Sequence, residues 1–281
     1  MLPTIALFAV TLLADSKAEI LKKLDDAKSD YKQSEALHRK TIDKAFDAME
    51  DAARKDGSKK AVAAAKQSRE VFKVWGEFPS NVPRATMADA RGRLVKVYDD
   101  AIRELIMAKA DDEVEKLEKE FRTFRIESAL LSGKFTYLSK LKPFNLKSAS
   151  NGFTTNGTQG ETKVPLQFKG LPLPHTLFFQ TRTGDNVQAS YNLLGKYHGF
   201  RAIVGIPRIE EKAENPASAP IFEVIGDGKS LWKSKPADKI EDFQTIEVNV
   251  EKVKVLTLAV HCWGSSAWGR TAWFEPILID P

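Results

Sequence analysis

One cysteine, four histidines and a formal net charge of only +5 set the first limits on this 281-residue chain. A single thiol excludes an internal disulfide framework and any zinc site built on paired cysteines. So small a positive excess over the whole length is no signature of a polyanion-binding protein. Long apolar runs are missing too. The run from Leu2 to Leu13 (LPTIALFAVTLL) falls short of the ~20 residues that a helix needs to cross a bilayer. It has the length of the h-region of a secretory signal, with small residues Ala14, Ser16 and Ala18 behind it, although no Lys or Arg precedes it. On that reading residues 1–18 are a signal peptide and the mature protein carries no transmembrane anchor. It is then exported, to the periplasm, the cell surface or the medium. The competing reading is a short buried helix.

Glycine and proline are scarce in the first half and concentrated in the second. Residues 143–281 hold 12 of the 16 Gly, 10 of the 13 Pro and four of the five Trp, which favours short strands joined by turns there. Residues 1–142 hold 28 Lys/Arg and 24 Asp/Glu, a dense mixed charge that suits long solvated helices. The boundary is expected near Lys142-Pro143, with a helical bundle or stalk over 19–142, a linker over 143–164 and a β-sandwich over 165–281.

In the helical half a spacing of four and three runs through Ile20, Leu24, Ala27, Tyr31, Ser34, His38, Thr41, Ala45, Ala48 and Ala52, widened by Ile42, Phe46 and Met49. So broad a stripe suits an antiparallel bundle or coiled-coil hairpin. Asp56-Gly57-Ser58 is expected to end the first helix, and Gly76 with Pro79 and Pro83 the second, which begins at Lys59. A third helical segment runs from about Thr86 to Ser132, with a turn or a continuous helix at Ala110-Asp111-Asp112. Carboxylate-bridged metal bundles need two Glu-x-x-His pairs, and Glu35-x-x-His38 stands alone. Acidic residues follow basic ones throughout, so no nucleic-acid face forms. The half reads as a stalk, spacer or self-association element, with a protein partner or a second copy as its contact.

In the second half the polar stretch Asn151–Gly160 reads as linker or loop. Eight strand-like runs follow: Leu177–Thr181, Val187–Leu193, Phe200–Ile206, Ile221–Ile225, Ser230–Lys233, Thr245–Val250, Val255–His261 and Thr271–Ile277. Gly226-Asp227-Gly228 between two of them is a hairpin signal. Such a series, with no helical period between runs, reads as a sandwich or barrel.

The order of motifs adds a resemblance. Gly170-Leu-Pro-Leu-Pro-His175, Ser190-Tyr-Asn-Leu193 and Phe200-Arg-Ala-Ile-Val-Gly-Ile206 come first. Ile221 to Ser234 (IFEVIGDGKSLWKS), Val250 to Leu258 and Ala272-Trp-Phe-Glu-Pro276 follow. Over about 165–280 the chain resembles the NPCBM (novel putative carbohydrate-binding module) family, whose modules accompany some glycoside hydrolases. The resemblance implies a jelly-roll sandwich of the galactose-binding-like kind and non-catalytic binding of a glycan, galactose-type among the candidates. The fold class expected is therefore α+β by domain, a helical bundle followed by an all-β jelly roll. Tyr98 to Phe124 also resembles the helical hairpins that accompany such modules in bacterial surface proteins.

Sugars offer apolar CH faces to aromatic rings and hydroxyls to directed polar groups. Within His261-Cys-Trp-Gly-Ser-Ser-Ala-Trp-Gly-Arg270, Trp263 and Trp268 supply rings while His261, Ser265 and Arg270 supply polar contacts. The alternative is that both tryptophans cap the end of the sandwich. Where the family often has Asp-His-Ala-Asp-Trp, this chain has Gly269, Arg270, Thr271, Ala272 and Trp273, which points to a different ligand or none. Phe222, Val224, Leu231 and Trp273 are expected in the core, Trp232 on the sheet face, and Asp227 in an Asx-stabilised turn. Cys262 is read as a buried thiol, since neighbours on a strand face opposite ways and share no site with His261. No catalytic residue, metal or cofactor is assigned. Gly-x-Ser-x-Gly, His-Glu-x-x-His and phosphate-loop patterns are missing, and a glycoside hydrolase would need two carboxylates across a cleft. A non-catalytic glycan binder is preferred, ahead of an envelope component that serves structure or protein contacts without sugar binding.

Overall fold

The computed structural model describes residues 4–76, 78–148, 152–160, 163–181, 186–208, 219–262 and 269–280, with side chains from residue 17 onward. Two compact units emerge, Met1–Lys134 and Phe135–Pro281. The first is a bundle of four helices: α1 Thr4–Lys55, α2 Lys59–Trp75, α3 Ala85–Met107 and α4 Asp111–Ser132. Gly57 takes a positive φ after α1, and the Ser58 side chain accepts from the Ala61 N–H at 3.2 Å to start α2. Gly76, left-handed, ends α2 by donating to Phe72 O at 2.7 Å. Of the two readings left open between 86 and 132, the broken helix is the one found. Lys109 at φ 55 turns the chain, and Asp111, Asp112 and Glu113 open α4 where the helix dipole favours negative charge.

The buried line on α1 runs Ile20, Leu24, Tyr31, His38, Ile42, Phe46 and Ala53. It leaves the expected register at Thr41, Ala48 and Ala52, which are exposed. A spacing that averages 3.5 drifts by about 20° per heptad around a straight helix, so the core-facing set moves on by one position. Met87, Leu94, Tyr98 and Leu105 of α3 fill the same core, with Leu117 and Phe121 of α4 against them.

The second unit is a two-sheet antiparallel jelly-roll sandwich. Its early strands are short: β1 Phe135–Tyr137, β2 Phe144–Lys147, β3 Phe153–Thr154, β4 Thr158–Gln159, β5 Val164–Pro165, β6 Gln167–Phe168 and β7 Leu171–Pro172. The longer ones are β8 Leu177–Thr181, β9 Asn186–Asn192, β10 Gly199–Gly205, β11 Ile221–Gly226, β12 Lys229–Lys233, β13 Gln244–Asn249, β14 Val255–His261 and β15 Gly269–Ile279. One sheet has the order β13-β10-β15-β8-β3, with β1 also on β15; the other is β12-β11-β14-β9-β2. Tyr191, Phe200, Phe222, Leu258 and Trp273 meet between them, all fully buried.

All eight expected runs are strands. The division between units lies earlier than Lys142-Pro143 because Phe135–Tyr137 pairs with Ile277–Ile279 of the last strand. The span read as a linker also holds β2, on the edge of one sheet, and β3, on the edge of the other. Asp227 and Gly228, at φ 47 and 81, form the two-residue β11–β12 turn. The Asp227 carboxylate accepts from Val255 N (2.8 Å) and Lys254 N (3.1 Å), so it ties the hairpin to β14 instead of closing a local Asx turn. Those backbone bonds hold its carboxyl below the usual range. Phe222, Val224 and Trp273 lie in the core as expected. Leu231 does not: it is 36% exposed and leans over Gly226, where a Cβ would meet its Cδ1 at 2.7 Å. Trp232 packs against the core instead of standing on the outer face.

Two histidines make folding pH-dependent. His38 lies against Phe78 in the bundle, its Nε2 buried without a partner. His175 stacks on Tyr137 with centroids 3.7 Å apart, and its Nδ1 lies 3.1 Å from Ser139 Oγ. Burial holds both imidazoles below 6.5, helped by Arg39 and Arg84 at His38 and by Lys140 at His175. The unfolded chain therefore takes up protons that the native state refuses. The contribution of these two residues to stability is fully present above about pH 6.5 and falls as the pH drops below it. Melting temperatures measured from about pH 7.5 down to about pH 5 are expected to decline. His38→Gln and His175→Gln are each expected to flatten that slope.

Candidate functional site

His261 closes β14, opposite Asn186 at the start of β9 and Ile221 at the start of β11. Val260 and Cys262 turn into the core, so strand alternation sends the imidazole to the outer face. There Nδ1 lies 3.0 Å from Asn186 Oδ1 and Nε2 lies 2.7 Å from Glu223 Oε2, the latter pair with side chains 16% and 14% exposed. Burial opposes the charge on Glu223, but hydrogen bonds with Ser230 and His261 and the nearby Lys233 outweigh it and hold the carboxyl below its usual range. Carboxamide, imidazole and carboxylate thus form a fixed polar row at one end of the five-stranded sheet.

Of the other expected site residues, Trp263, Ser265 and Trp268 lie outside the described residues. Arg270 lies in the other sheet, opposite Gln180 of β8. Thr271 and Trp273 face inward beside it, Thr271 Oγ1 donating to Phe179 O at 2.9 Å, so Arg270 faces outward. His261 and Arg270 therefore leave opposite outer faces of the sandwich and are not brought together. Cys262 is buried, and Trp273 is enclosed by Phe222 and Phe200 at centroid distances of 5.6 and 6.3 Å.

Sequence reasoning missed Glu223 and Asn186. The outward parity of Glu223 within Ile221–Ile225 was readable, but its pairing with a residue 38 positions away is a matter of register. A concavity of about 640 Å³ lies at the opposite end of the sandwich among Lys196, Tyr197, His198, Glu251, Lys252 and Asp280, and sequence reasoning gave no sign of it. Among the described residues no group of three His, Cys, Asp or Glu side chains converges to hold a metal, and no helix is long and apolar enough to cross a membrane.

The second unit is thus a two-sheet antiparallel sandwich with a polar row at one end of its five-stranded sheet. The model of the NPCBM/NEW2 domain matches residues 135–278, the sandwich from its first strand almost to its last residue, and the chain belongs to that family. No curated protein matches the chain. Solved structures with a similar fold include the M60 catalytic domain with two CBM51 domains of Clostridium perfringens ZmpB, at 22% identity and a TM-score of 0.44. That match covers 52% of this chain and 15% of the other. The tandem CBM51 modules of the Streptococcus pneumoniae family 98 glycoside hydrolase match at 16% identity and 0.45, over 53% and 48%. The CBM51 module of the Clostridium perfringens GH95 protein, solved with methyl-galactose, matches at 18% identity and 0.42, over 51% and 99%. The first two thus extend well beyond what this chain spans.

Proposed function

We propose that the sandwich is a non-catalytic glycan-binding module of an exported protein, with the helical unit as its stalk or self-association element. The observation that carries this reading is the NPCBM/NEW2 match over 135–278, because that family is one of carbohydrate-binding modules. The proposed contact surface is the end of the five-stranded sheet at His261, flanked in sequence by Trp263 and Trp268. Sugar hydroxyls need donors and acceptors held in place, and His261, whose two ring nitrogens are taken by Asn186 and Glu223, serves to position that carboxamide and carboxylate instead of contacting a hydroxyl itself. Trp263, Trp268 and Ser265, which follow His261 in the sequence, are proposed to supply stacking rings and a further polar contact. Arg270, which leaves the other sheet, has no part in this surface.

Glycan-array binding by the full chain, galactose-terminated glycans included, tests the reading. His261→Ala, which releases the Asn186 carboxamide and the Glu223 carboxylate from their fixed positions, is expected to weaken any hit by about tenfold. Trp263→Ala and Trp268→Ala are expected to do the same while the fold survives. Chromogenic glycosides are expected to show no turnover. An array without a hit would transfer the module to the structural, protein-contact reading, which the loss of the acidic and His positions at 269–272 would then explain.

A further inference from the structure

The helical unit carries a groove that neither the stalk role nor the sandwich accounts for. It has a volume of about 510 Å³ and lies between α1 and α4 over α3. That is the size range of pockets for small organic ligands, ~300–1,000 Å³. The floor comes from α3, where Leu94 and Tyr98 stand four apart on one face and are buried. Phe124 of α4 meets Tyr31 of α1 edge to face at 5.0 Å and stacks on Tyr98 at 5.6 Å, so the three rings pack as one cluster beside the opening. Three aromatic rings thus line one side of an opening that the bundle does not fill.

The rim is charged. Lys32, Lys116 and Lys119 stand exposed around it; Lys32 feels the charge of Glu120 and Lys116 that of Glu113, but among the described residues none of the three forms a close ion pair or side-chain hydrogen bond. The carboxylates nearby are largely occupied. Glu120 is bound by Lys28 at 2.7 Å and accepts from the Tyr98 hydroxyl at 2.8 Å, and Glu35 is bound by Arg39 at 2.7 Å. Glu127, the other lining acid, has no such bond among the described residues. The buried Arg91 adds a positive field at Tyr31. Burial and Glu35 keep the Tyr31 hydroxyl protonated, so it remains a donor.

The geometry points to a binding site for a small organic anion: an aromatic or alkyl body seated on Tyr31, Tyr98 and Phe124, with a carboxylate or sulfonate headgroup among Lys32, Lys116 and Lys119. An acidic amphipathic helix fits less well. The Lys28–Glu120 pair joins α1 to α4 across the seam, and Lys17–Glu113 joins them again further along, so a helix has no continuous channel to lie in.

The probe is 8-anilinonaphthalene-1-sulfonate, titrated by fluorescence against the full chain, with the uncharged N-phenyl-1-naphthylamine as comparator. The sulfonate is expected to bind at one site more tightly than the neutral dye, and less tightly as salt is raised. Lys32→Glu combined with Lys119→Glu is expected to weaken the sulfonate by about tenfold or more, through reversed charges at close range, while leaving the neutral dye within about twofold. The Lys32→Gln/Lys119→Gln pair is expected to fall between. Both substituted sites are solvent-facing, and unchanged circular dichroism and melting confirm an intact bundle. The proposal is overturned if the sulfonate does not bind, if both dyes bind alike, or if the charge-reversed protein binds the sulfonate as the wild type does. Binding of an acidic helical peptide but not of the sulfonate overturns it too.

Discussion

Trp273→Ala is expected to cost the sandwich about 3–5 kcal/mol, in the range for emptying a large aromatic site in a core. Trp273 is fully buried on β15, the central strand of its sheet, with β10 on one side and β8 and β1 on the other. Its ring meets Phe222 of the opposite sheet edge to face at 5.6 Å, so truncation opens a void where the two sheets touch. Such a loss takes much of the ~5–15 kcal/mol that holds a typical domain. Hydrogen exchange followed by mass spectrometry separates this unit from the helices, and protection should collapse across β8, β10 and β15 while α1 to α4 keep theirs. Trp273→Phe should cost much less. It keeps an aromatic ring and removes an indole N–H that is buried and has no hydrogen-bond partner among the described residues. Unaltered exchange in Trp273→Ala would mean that the sheets do not meet on this residue.

Gly157→Ala should have an effect of similar size, about 2–5 kcal/mol, combining the cost of a left-handed backbone with that of overpacking. Gly157 sits at φ +70, and a Cβ there would lie 2.4 Å from Leu173 O and 2.9 Å from Pro174 Cα. Both are main-chain atoms and cannot swing aside. The same residue donates to Thr176 O at 3.0 Å and accepts from Leu166 N at 2.7 Å, fixing the approach. Gly170→Ala is the control. Its φ is +79, but nothing lies within 4 Å of the added carbon, so only the ~1–2 kcal/mol of backbone strain applies. Thermal melting and limited proteolysis near residues 150–165 distinguish the two. Equal tolerance of both substitutions would show that 152–160 is not docked against 173–176.

That second expectation falls on a stretch whose composition of Asn, Gly and Thr reads as linker. Its order comes from partners such as Thr176 and Phe179, which lie outside it in the sequence. β3 is two residues long and β2 is exposed at every position, so neither offers an alternation to detect. β1 announces itself only through its pairing with Ile277–Ile279. The longer strands were legible because each keeps one face in the core, and the helices because their apolar stripes are broad. On α1 the stripe was legible but not its drift, which depends on how a straight helix lies on α3.

The candidate surface divides in the same way. His261 stood out for its position beside a loop rich in tryptophan, and the burial of Cys262 and Trp273 followed from strand parity. Arg270, nine residues on, belonged to the same stretch of sequence yet leaves the opposite face of the sandwich. Glu223 and Asn186, 38 and 75 residues from His261, hold its ring. What the sequence alone determined was the inward parity of the long strands and the presence of an apolar stripe on the helices, Leu231 and the drift along α1 excepted, since side-chain period and turn chemistry are local properties of the chain. Which outward residues become neighbours was decided only by the tertiary structure, because strand order and register join distant segments and no local pattern encodes that pairing.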